Sequence, residues 1–499
     1  MQVAQHSMLK PSSWFRSLQP TTKLCTPSVS NLDRGSKRGG RGLVTLGRQP
    51  EVPAANHLSN LTLECPPSTL QQQQQQQQQQ PTSAYLHLPF CKRKCFYCDF
   101  PVEAVGMKTE AQRVQQRMQD YVKLLCKEIK AMQPLNDAPL KTVYFGGGTP
   151  SLVPPDLMAR ILDTLHHHLR IEPQAEVTLE ADPGTFDAPR LRAYMDLGIN
   201  RISMGVQSFD EGLLKACGRP HDLREVYRAI EAVHASTIPS WSLDIISGLP
   251  RLSMDSWRHT LQEAIHAQPS HVSVYDLQVE EGTPFARWFS PGSAPLPDDD
   301  NTATMYAAAS ATLQDAGYEH YEVSNYARPG HRSQHNQVYW RCLPCYGFGL
   351  GAASYVEGRR FSRPASMPKY KQWVEDFASP DSKSRGVPGL SQPPDSQEER
   401  MLDAVMLRLR TADGLDMRSF ASEYGADAAR RALTALEPHF QDGLVLAVHE
   451  GRAPTGPTNL GSLHDQLVNA RGVRLADPDG FLLSNHIISD VFAALSALE

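Results

Sequence analysis

Cys91, Cys95 and Cys98 fall within one short stretch, Cys91-Lys92-Arg93-Lys94-Cys95-Phe96-Tyr97-Cys98. Three thiolates this close together point to metal ligation. They can hold three corners of a [4Fe-4S] cube and leave the fourth iron free for another molecule. Zinc is the competing ligand chemistry, but a closed structural zinc site takes four ligands, and the nearest fourth here is His87 on the preceding run. Lys92, Arg93 and Lys94 either lower the thiol pKa values and offset the charge of a bound cluster, or form a solvated basic turn.

A second set of polar residues and glycines recurs downstream. The run Tyr144-Phe145-Gly146-Gly147-Gly148-Thr149-Pro150 removes side chains where a backbone must be approached closely. Glu180, Gln207 and Asp244 then stand singly at the ends of apolar runs. One such residue is often a satisfied polar group. Three at equivalent places need partners, which a bound ligand would supply.

The elements that must carry these residues are short β-branched or alternating runs separated by helical periods, the pattern of repeated βα units around a parallel sheet. Strands are expected at Ala84–Leu88, Thr142–Phe145, Glu176–Glu180, Arg201–Val206, Ser242–Ile246 and Val272–Leu277, with a helix carrying Leu157, Ile161, Leu165 and Leu169 at four-residue spacing. The fold class is α/β: a partial (β/α)6 barrel. On such a barrel the three thiols leave the carboxyl end of the first strand, the face on which active sites are built.

Beyond the barrel, residues 379–397 are rich in Ser, Pro, Gly and Asp and read as a linker, so a second domain is expected over 398–499. A helix after Asp416, another at Ala428–Leu436, strand-like pieces at Leu444–Val448 and Phe481–Leu483 and a last helix from Ser484 suit a small winged-helix-like module. The Gly/Pro/Asn-rich segment from Gly451 to about Val473 reads as a surface insertion. Residues 1–82 pair Lys10, Arg16, Lys23, Arg34, Lys37, Arg38, Arg41 and Arg48 with only two acids before residue 60, Asp33 and Glu51, and end in the glutamine tract Gln71–Gln80. This is the composition of an organellar transit peptide (chloroplast or mitochondrion) followed by a polar spacer; an ordinary tail on a cytoplasmic protein is the alternative.

The chain has 499 residues, 40% hydrophobic and 21% charged, and a net charge of -5, which gives no reason to expect nucleic-acid binding. No run approaches the roughly 20 apolar residues of a membrane span. Nine cysteines is an odd number in a chain too large to need disulfide staples, and three of them crowd one loop; metal ligation in a reducing compartment follows.

The spacing of the three cysteines after a first strand resembles the radical S-adenosylmethionine superfamily. The resemblance implies a [4Fe-4S] cluster held by Cys91, Cys95 and Cys98, with S-adenosylmethionine on the open iron. It also implies a cofactor site drawn from Tyr85, Tyr97, Gly147, Gly148, Thr149, Glu180, Gln207, Arg219 and Asp244, in which the glycine edge holds the methionine amino group and Arg219 pairs with its carboxylate. Within the superfamily, Tyr85-Leu-His-Leu-Pro-Phe-Cys91, Met204-Gly-Val-Gln-Ser-Phe and Gly248-Leu-Pro resemble the oxygen-independent coproporphyrinogen III oxidase (HemN) group over about residues 83–450. Two departures point to its HemW-like branch of haem chaperones. Phe100 stands where the oxidase usually has a fourth cysteine, and His335-Asn336-Gln337-Val338-Tyr339-Trp340 matches the branch's His-Asn-x-x-Tyr-Trp signature. This places a haem-associated segment at 326–378, after a radical core at 83–325.

The resemblance implies haem binding at His335, Asn336, Tyr339 and Trp340. His335 is either an axial ligand with aromatic cover or a core histidine. It also implies transfer to an unidentified haem-acceptor protein and an electron donor such as a ferredoxin or flavodoxin. Radical decarboxylation of a porphyrinogen propionate, or radical chemistry on an unrelated substrate, are the other functions open to such a core, so enzymatic turnover is left undecided. Cys342 and Cys345 could be a redox pair or a thiolate haem ligand and are taken as incidental. His166–His168 are taken as a solvent-facing cluster.

Overall fold

The computed structural model describes residues 80–496 apart from 107–108, 136, 380–392 and 459–461. The expected transit peptide, almost all of the glutamine tract and most of the expected linker lie outside the described residues.

Nine strands form one sheet: β1 Ser83–Leu88, β2 Leu140–Gly147, β3 Ile171–Ala181, β4 Arg201–Gln207, β5 Ser240–Ser247, β6 His271–Asp276, β7 Glu319–Glu322, β8 Asn325–Ala327 and β9 Tyr346–Phe348, in the order β9-β1-β2-β3-β4-β5-β6-β8-β7. All six expected strands are present as β1 to β6, and each pairs in parallel with the next. β9 extends the parallel sheet beyond β1, while β8 and β7 add antiparallel edges beyond β6. The two ends of the sheet do not pair with each other, so the barrel is open.

Helices pack on the outer face. α1 (Ala111–Ala131) buries Met118, Val122, Leu125 and Ile129, and α2 (Pro155–Leu169) buries Leu157, Ile161, Leu165 and Leu169, the stripe expected from the sequence. Each side chain of this size removed from water contributes roughly 1.5–3 kcal/mol. Helix starts are fixed by local side chains: Asp222 and Glu225 form a reciprocal capping box at the helix Leu223–His234.

The inner face is unusually polar. Reading the register inward gives Tyr144, Thr178, Glu180, Arg201, Ser203, Ser242, Asp244, His271, Ser273 and Asn325. α3 (Gln334–Trp340), capped by Ser333, closes one end of this lumen.

The carboxyl-terminal region builds a second core around Val405, Leu436, Phe440, Val473, Ile487 and Val491, and Val338, Tyr339 and Trp340 of α3 join that core. Its three-stranded sheet has the order Leu415–Asp416, Gly472–Leu475, Val445–Val448. Two expectations are corrected. Phe481 lies in a short helix, Asp479–Leu482, and the strand paired with Val445–Val448 is Gly472–Leu475. The segment after Gly451 is therefore not a plain insertion, because it contains the helix Leu463–Val468 and leads into that strand. The apolar run Phe481–Leu483 has no alternation, and a short buried run does not distinguish helix from strand.

Candidate functional site

The carboxyl ends of β1 to β6 surround one cavity. Cys91, Cys95, Cys98, Tyr97, Gly147, Gly148, Thr149, Glu180, Gln207, Arg219 and Asp244 all line it, together with Tyr144, Asp182, Ser203 and Tyr275. The structure thus gathers every expected cluster and cofactor residue except Tyr85. That residue sits deeper in the barrel, stacked on Tyr144 with ring centroids 6.1 Å apart and bonded to the His87 ring (3.1 Å). β1 alternates sides like any strand, but Tyr85 lies three residues before its end and stops short of the mouth.

The cysteine loop is pinned from both sides. Lys92 donates to Gly184 O (2.7 Å), Arg93 to the carbonyls of Gly218 (2.8 Å) and Arg219 (2.6 Å), and Lys94 to Phe100 O (3.2 Å). These cations therefore staple the loop rather than merely solvate it. Burial pushes the Cys91 and Cys98 thiols up to about 12, so the protein alone does not ionise them; iron would supply the charge that does. Thr149 Oγ1 lies 3.6 Å from Cys91 Sγ, and Arg219 Nη1 lies 3.3 Å from Cys95 Sγ. Among the described residues no group of three His, Cys, Asp or Glu side chains is placed around a common point as a single ion requires. His87, the suggested fourth zinc ligand, is buried with its Nε2 2.9 Å from Pro101 O and Nδ1 on Tyr85.

The glycine run does two jobs. A Cβ on Gly147 would sit 2.5 Å from the His87 ring and one on Gly148 2.7 Å from the Pro89 carbonyl, so the run first lets β2 pass under the cysteine loop. Gly147, at φ 114°, also donates its N–H to Glu180 Oε2 (2.9 Å), while Tyr144 OH donates to Oε1 (3.0 Å). Burial, opposed by these two bonds, holds the Glu180 carboxyl at about 7. Asp244 accepts from Ser203 (3.0 Å) and Ser242 (2.9 Å). Gln207 occupies the left-handed region, φ 72°, at a bulge in β4, and its buried Oε1 has no partner. A strained residue with an open acceptor in a cavity of carboxylates and thiols fits a polar ligand such as S-adenosylmethionine.

Arg219 differs from expectation. Its Nη2 is held by Asp182 Oδ1 (2.5 Å) and Gly205 O (2.8 Å), leaving Nη1 toward Cys95 and Tyr97 OH (3.3 Å). Burial alone would raise the Asp182 carboxyl, yet Arg219 and His221 hold it below the usual range. Asp182 is absent from the residues expected on sequence, although it lies two residues beyond Glu180 on the same face of the strand end.

At the opposite end of the lumen, α3 is locked in. His335 is a fully buried core histidine: Nδ1 bonds Thr142 Oγ1 and Nε2 bonds Tyr339 OH, both at 2.8 Å, and the ring stacks on Tyr144. Burial and Arg201 push its pKa down to about 3. Glu176 accepts the N–H groups of Gln334 (3.1 Å) and His335 (3.0 Å). From Asp244 a chain of hydrogen bonds runs through Ser242, His271 and Tyr321 to the Ser333 N–H. On the other face of α3, Asn336 Oδ1, Gln337 Nε2 and Trp340 Nε1 are buried without partners. Cys342 and Cys345 are free thiols pushed up to about 12 by burial. His166 and His167 are exposed as expected, whereas His168 is half-buried with its ring on Met132 O.

Residues 85–264 match the Radical SAM superfamily model and residues 395–453 the HemN C-terminal domain model. "Heme chaperone HemW" of Synechocystis sp. is 39% identical over 423 residues, 83% of this chain and 97% of the relative. The chain belongs to the HemW family. The Escherichia coli HemW is 39% identical over 56% of this chain and 72% of its own length, and "Radical S-adenosyl methionine domain-containing protein 1, mitochondrial" of Mus musculus is 35% identical over 54% and 59%. The solved coproporphyrinogen III oxidase HemN of Escherichia coli shares the fold, with TM-score 0.66 and 21% identity over 85% of this chain and 91% of that one. HemW membership in the radical S-adenosylmethionine superfamily brings a [4Fe-4S] cluster and S-adenosylmethionine as cofactors.

Proposed function

We propose that this HemW-family chain binds haem and passes it to an acceptor protein, with its cluster and S-adenosylmethionine seated at the barrel mouth. The observation that carries the reading is the match to a haem chaperone along nearly that relative's whole length. Phe100 at the place of the oxidase's fourth cysteine agrees with it.

Cys91, Cys95 and Cys98 hold the cluster in this reading. Glu180, Asp244 and Gln207 meet the polar edges of S-adenosylmethionine, and Tyr97 with the Gly147–Thr149 edge walls it in. The cluster supplies an open iron for the cofactor's amino-acid end. Arg219 serves the loop and the cofactor together, through Asp182 on one side and Nη1 on the other.

For haem, α3 is the candidate segment, through Asn336 and Trp340 rather than through His335. Both His335 ring nitrogens are engaged and the ring is fully buried, so axial ligation would require breaking one of these bonds and admitting iron into a packed site. Asn336 and Trp340 keep buried, unpartnered polar atoms, and Trp340 lies in the second core. The basic residues before the glutamine tract, and mouse, bovine and zebrafish relatives whose names carry "mitochondrial", support an organellar destination.

The test is haem titration followed by absorbance on anaerobic, cluster-loaded protein, beside an assay of coproporphyrinogen conversion. Saturable haem binding without vinyl product is expected. Vinyl product would establish the oxidase instead, and absence of saturable binding would remove the chaperone reading.

A further inference from the structure

The outer edge of the cysteine loop carries an aromatic shelf. Phe96, adjacent to Cys95, meets Trp288 edge-on with centroids 5.0 Å apart, and Phe285 and Phe289 each lie 6.2 Å from Trp288. Backbone bonds hold the arrangement: Phe285 N–H donates to Phe96 O (3.1 Å) and Phe96 N–H to Cys217 O (3.0 Å). Trp288 nevertheless remains 55% exposed. A large aromatic so open, on a rigid support, is the usual centre of a protein contact.

Its charge surroundings define the partner. Arg93 and Lys94 on the loop and Arg287 on the same short helix as Trp288 are exposed, and none forms an ion pair with a described residue. Arg93 lies over the Phe96 ring at 5.9 Å. Glu280 and Glu281 precede that helix and Asp99 follows the cysteines, so the shelf is cationic on its loop side and mixed beyond. Phe96 stands between two ligands of the cluster, which makes this the part of the surface joined to it by the shortest run of chain.

We propose that the Phe96–Trp288 shelf docks a small acidic electron-carrier protein that reduces the cluster. The proposal rests on the cofactor assignment above. The carrier's reduced flavin or iron–sulfur centre loses one electron, the oxidised [4Fe-4S]2+ cluster gains it and becomes [4Fe-4S]+, and no atom is transferred. Contacts of this kind are small and steered by charge, with an apolar centre that excludes water.

The experiment uses cluster-loaded full-length protein and three reductants: flavodoxin hydroquinone, reduced plant-type [2Fe-2S] ferredoxin and dithionite. Stopped-flow bleaching of the cluster reads the reduction, and calorimetry with the oxidised carriers reads binding. Trp288→Ala should slow reduction by a carrier and weaken its binding by about tenfold or more, with the dithionite rate unchanged, and Trp288→Phe should recover most of the loss. Arg287→Glu should slow the reaction at low ionic strength and flatten its salt dependence. Neither carrier reducing the wild type, or both variants reacting as wild type does, would overturn the proposal. So would loss of haem binding in Trp288→Ala with carrier reduction intact, which would make the shelf a tetrapyrrole face. Absence of cluster absorption in wild type would instead refute the cofactor assignment.

Discussion

The two ends of the barrel lumen use similar side chains to opposite ends. At the mouth, Gln207 keeps an unpaired oxygen, Glu180 sits near neutrality at about 7 and three thiols face one cavity. At the floor, the His335 ring bonds Thr142 and Tyr339, His271 bonds Tyr321, and Glu176 accepts the N–H groups at the N-terminus of α3. A buried polar group left open stores the capacity to bind, whereas a matched one fixes geometry. The mouth is thus built to bind and the lumen face of α3 to hold geometry, the two joined by the Asp244–Ser242–His271–Tyr321 chain.

The largest expected contrast lies among the cysteines. Replacing Cys91, Cys95 or Cys98 by Ala should abolish the cluster's charge-transfer absorption and its iron, while Cys342→Ser and Cys345→Ser should retain both. Retention in the first set, or loss in the second, would mean that the wrong thiols are assigned.

Breaking a matched pair in the scaffold should act on stability instead. Glu128→Ala leaves the fully buried Arg363, bonded to it at 2.7 Å, without its carboxylate, and Glu176→Ala removes the acceptor of the Gln334 and His335 N–H groups together with a charge that favours the buried Arg201. Each is expected to cost about 3–5 kcal/mol in urea unfolding. At the mouth, Glu180→Gln should leave the fold intact, since it removes a buried carboxylate, and lower S-adenosylmethionine affinity by about tenfold, as loss of a charged hydrogen bond does. Equilibrium dialysis with labelled cofactor measures it, and His335→Gln should leave that affinity near wild type.

Two buried histidines, His335 at the floor and His87 under the cysteine loop, carry a pH signature. Folded His335 and His87 protonate only near about 3 and about 4, against 6.5 for the free side chain. Between those values the unfolded chain takes up protons that the folded chain refuses, so the histidines' contribution is complete above 6.5 and falls as the pH drops. Each adds a slope approaching about 1.4 kcal/mol per pH unit. His335→Gln should remove one such slope between about pH 6 and 5, below the ordinary histidine value; an unchanged slope would mean that the ring is not buried neutral. Smallest of all, exposed His166→Ala should move stability by less than about 0.5 kcal/mol.

Local pattern carries the site further than the scaffold. The strand ends, the cysteine loop and the positions of Glu180, Gln207 and Asp244 are readable because each is a short-range event, a polar residue closing an apolar run. Asp182 is not, because its significance lies in Arg219 and His221, distant in sequence. The state of His335 depends on Tyr339, its i+4 neighbour on α3, and on Thr142, from a strand far away in sequence, which no spacing reveals. Phe481–Leu483 misleads because three apolar residues have no period.

Electron paramagnetic resonance of the reduced cluster, recorded before and after adding S-adenosylmethionine, tests the contrast between mouth and floor most directly. The account requires the spectrum to shift in wild type and equally in His335→Gln, as one iron without a protein ligand takes up the cofactor. An unchanged wild-type spectrum would contradict it.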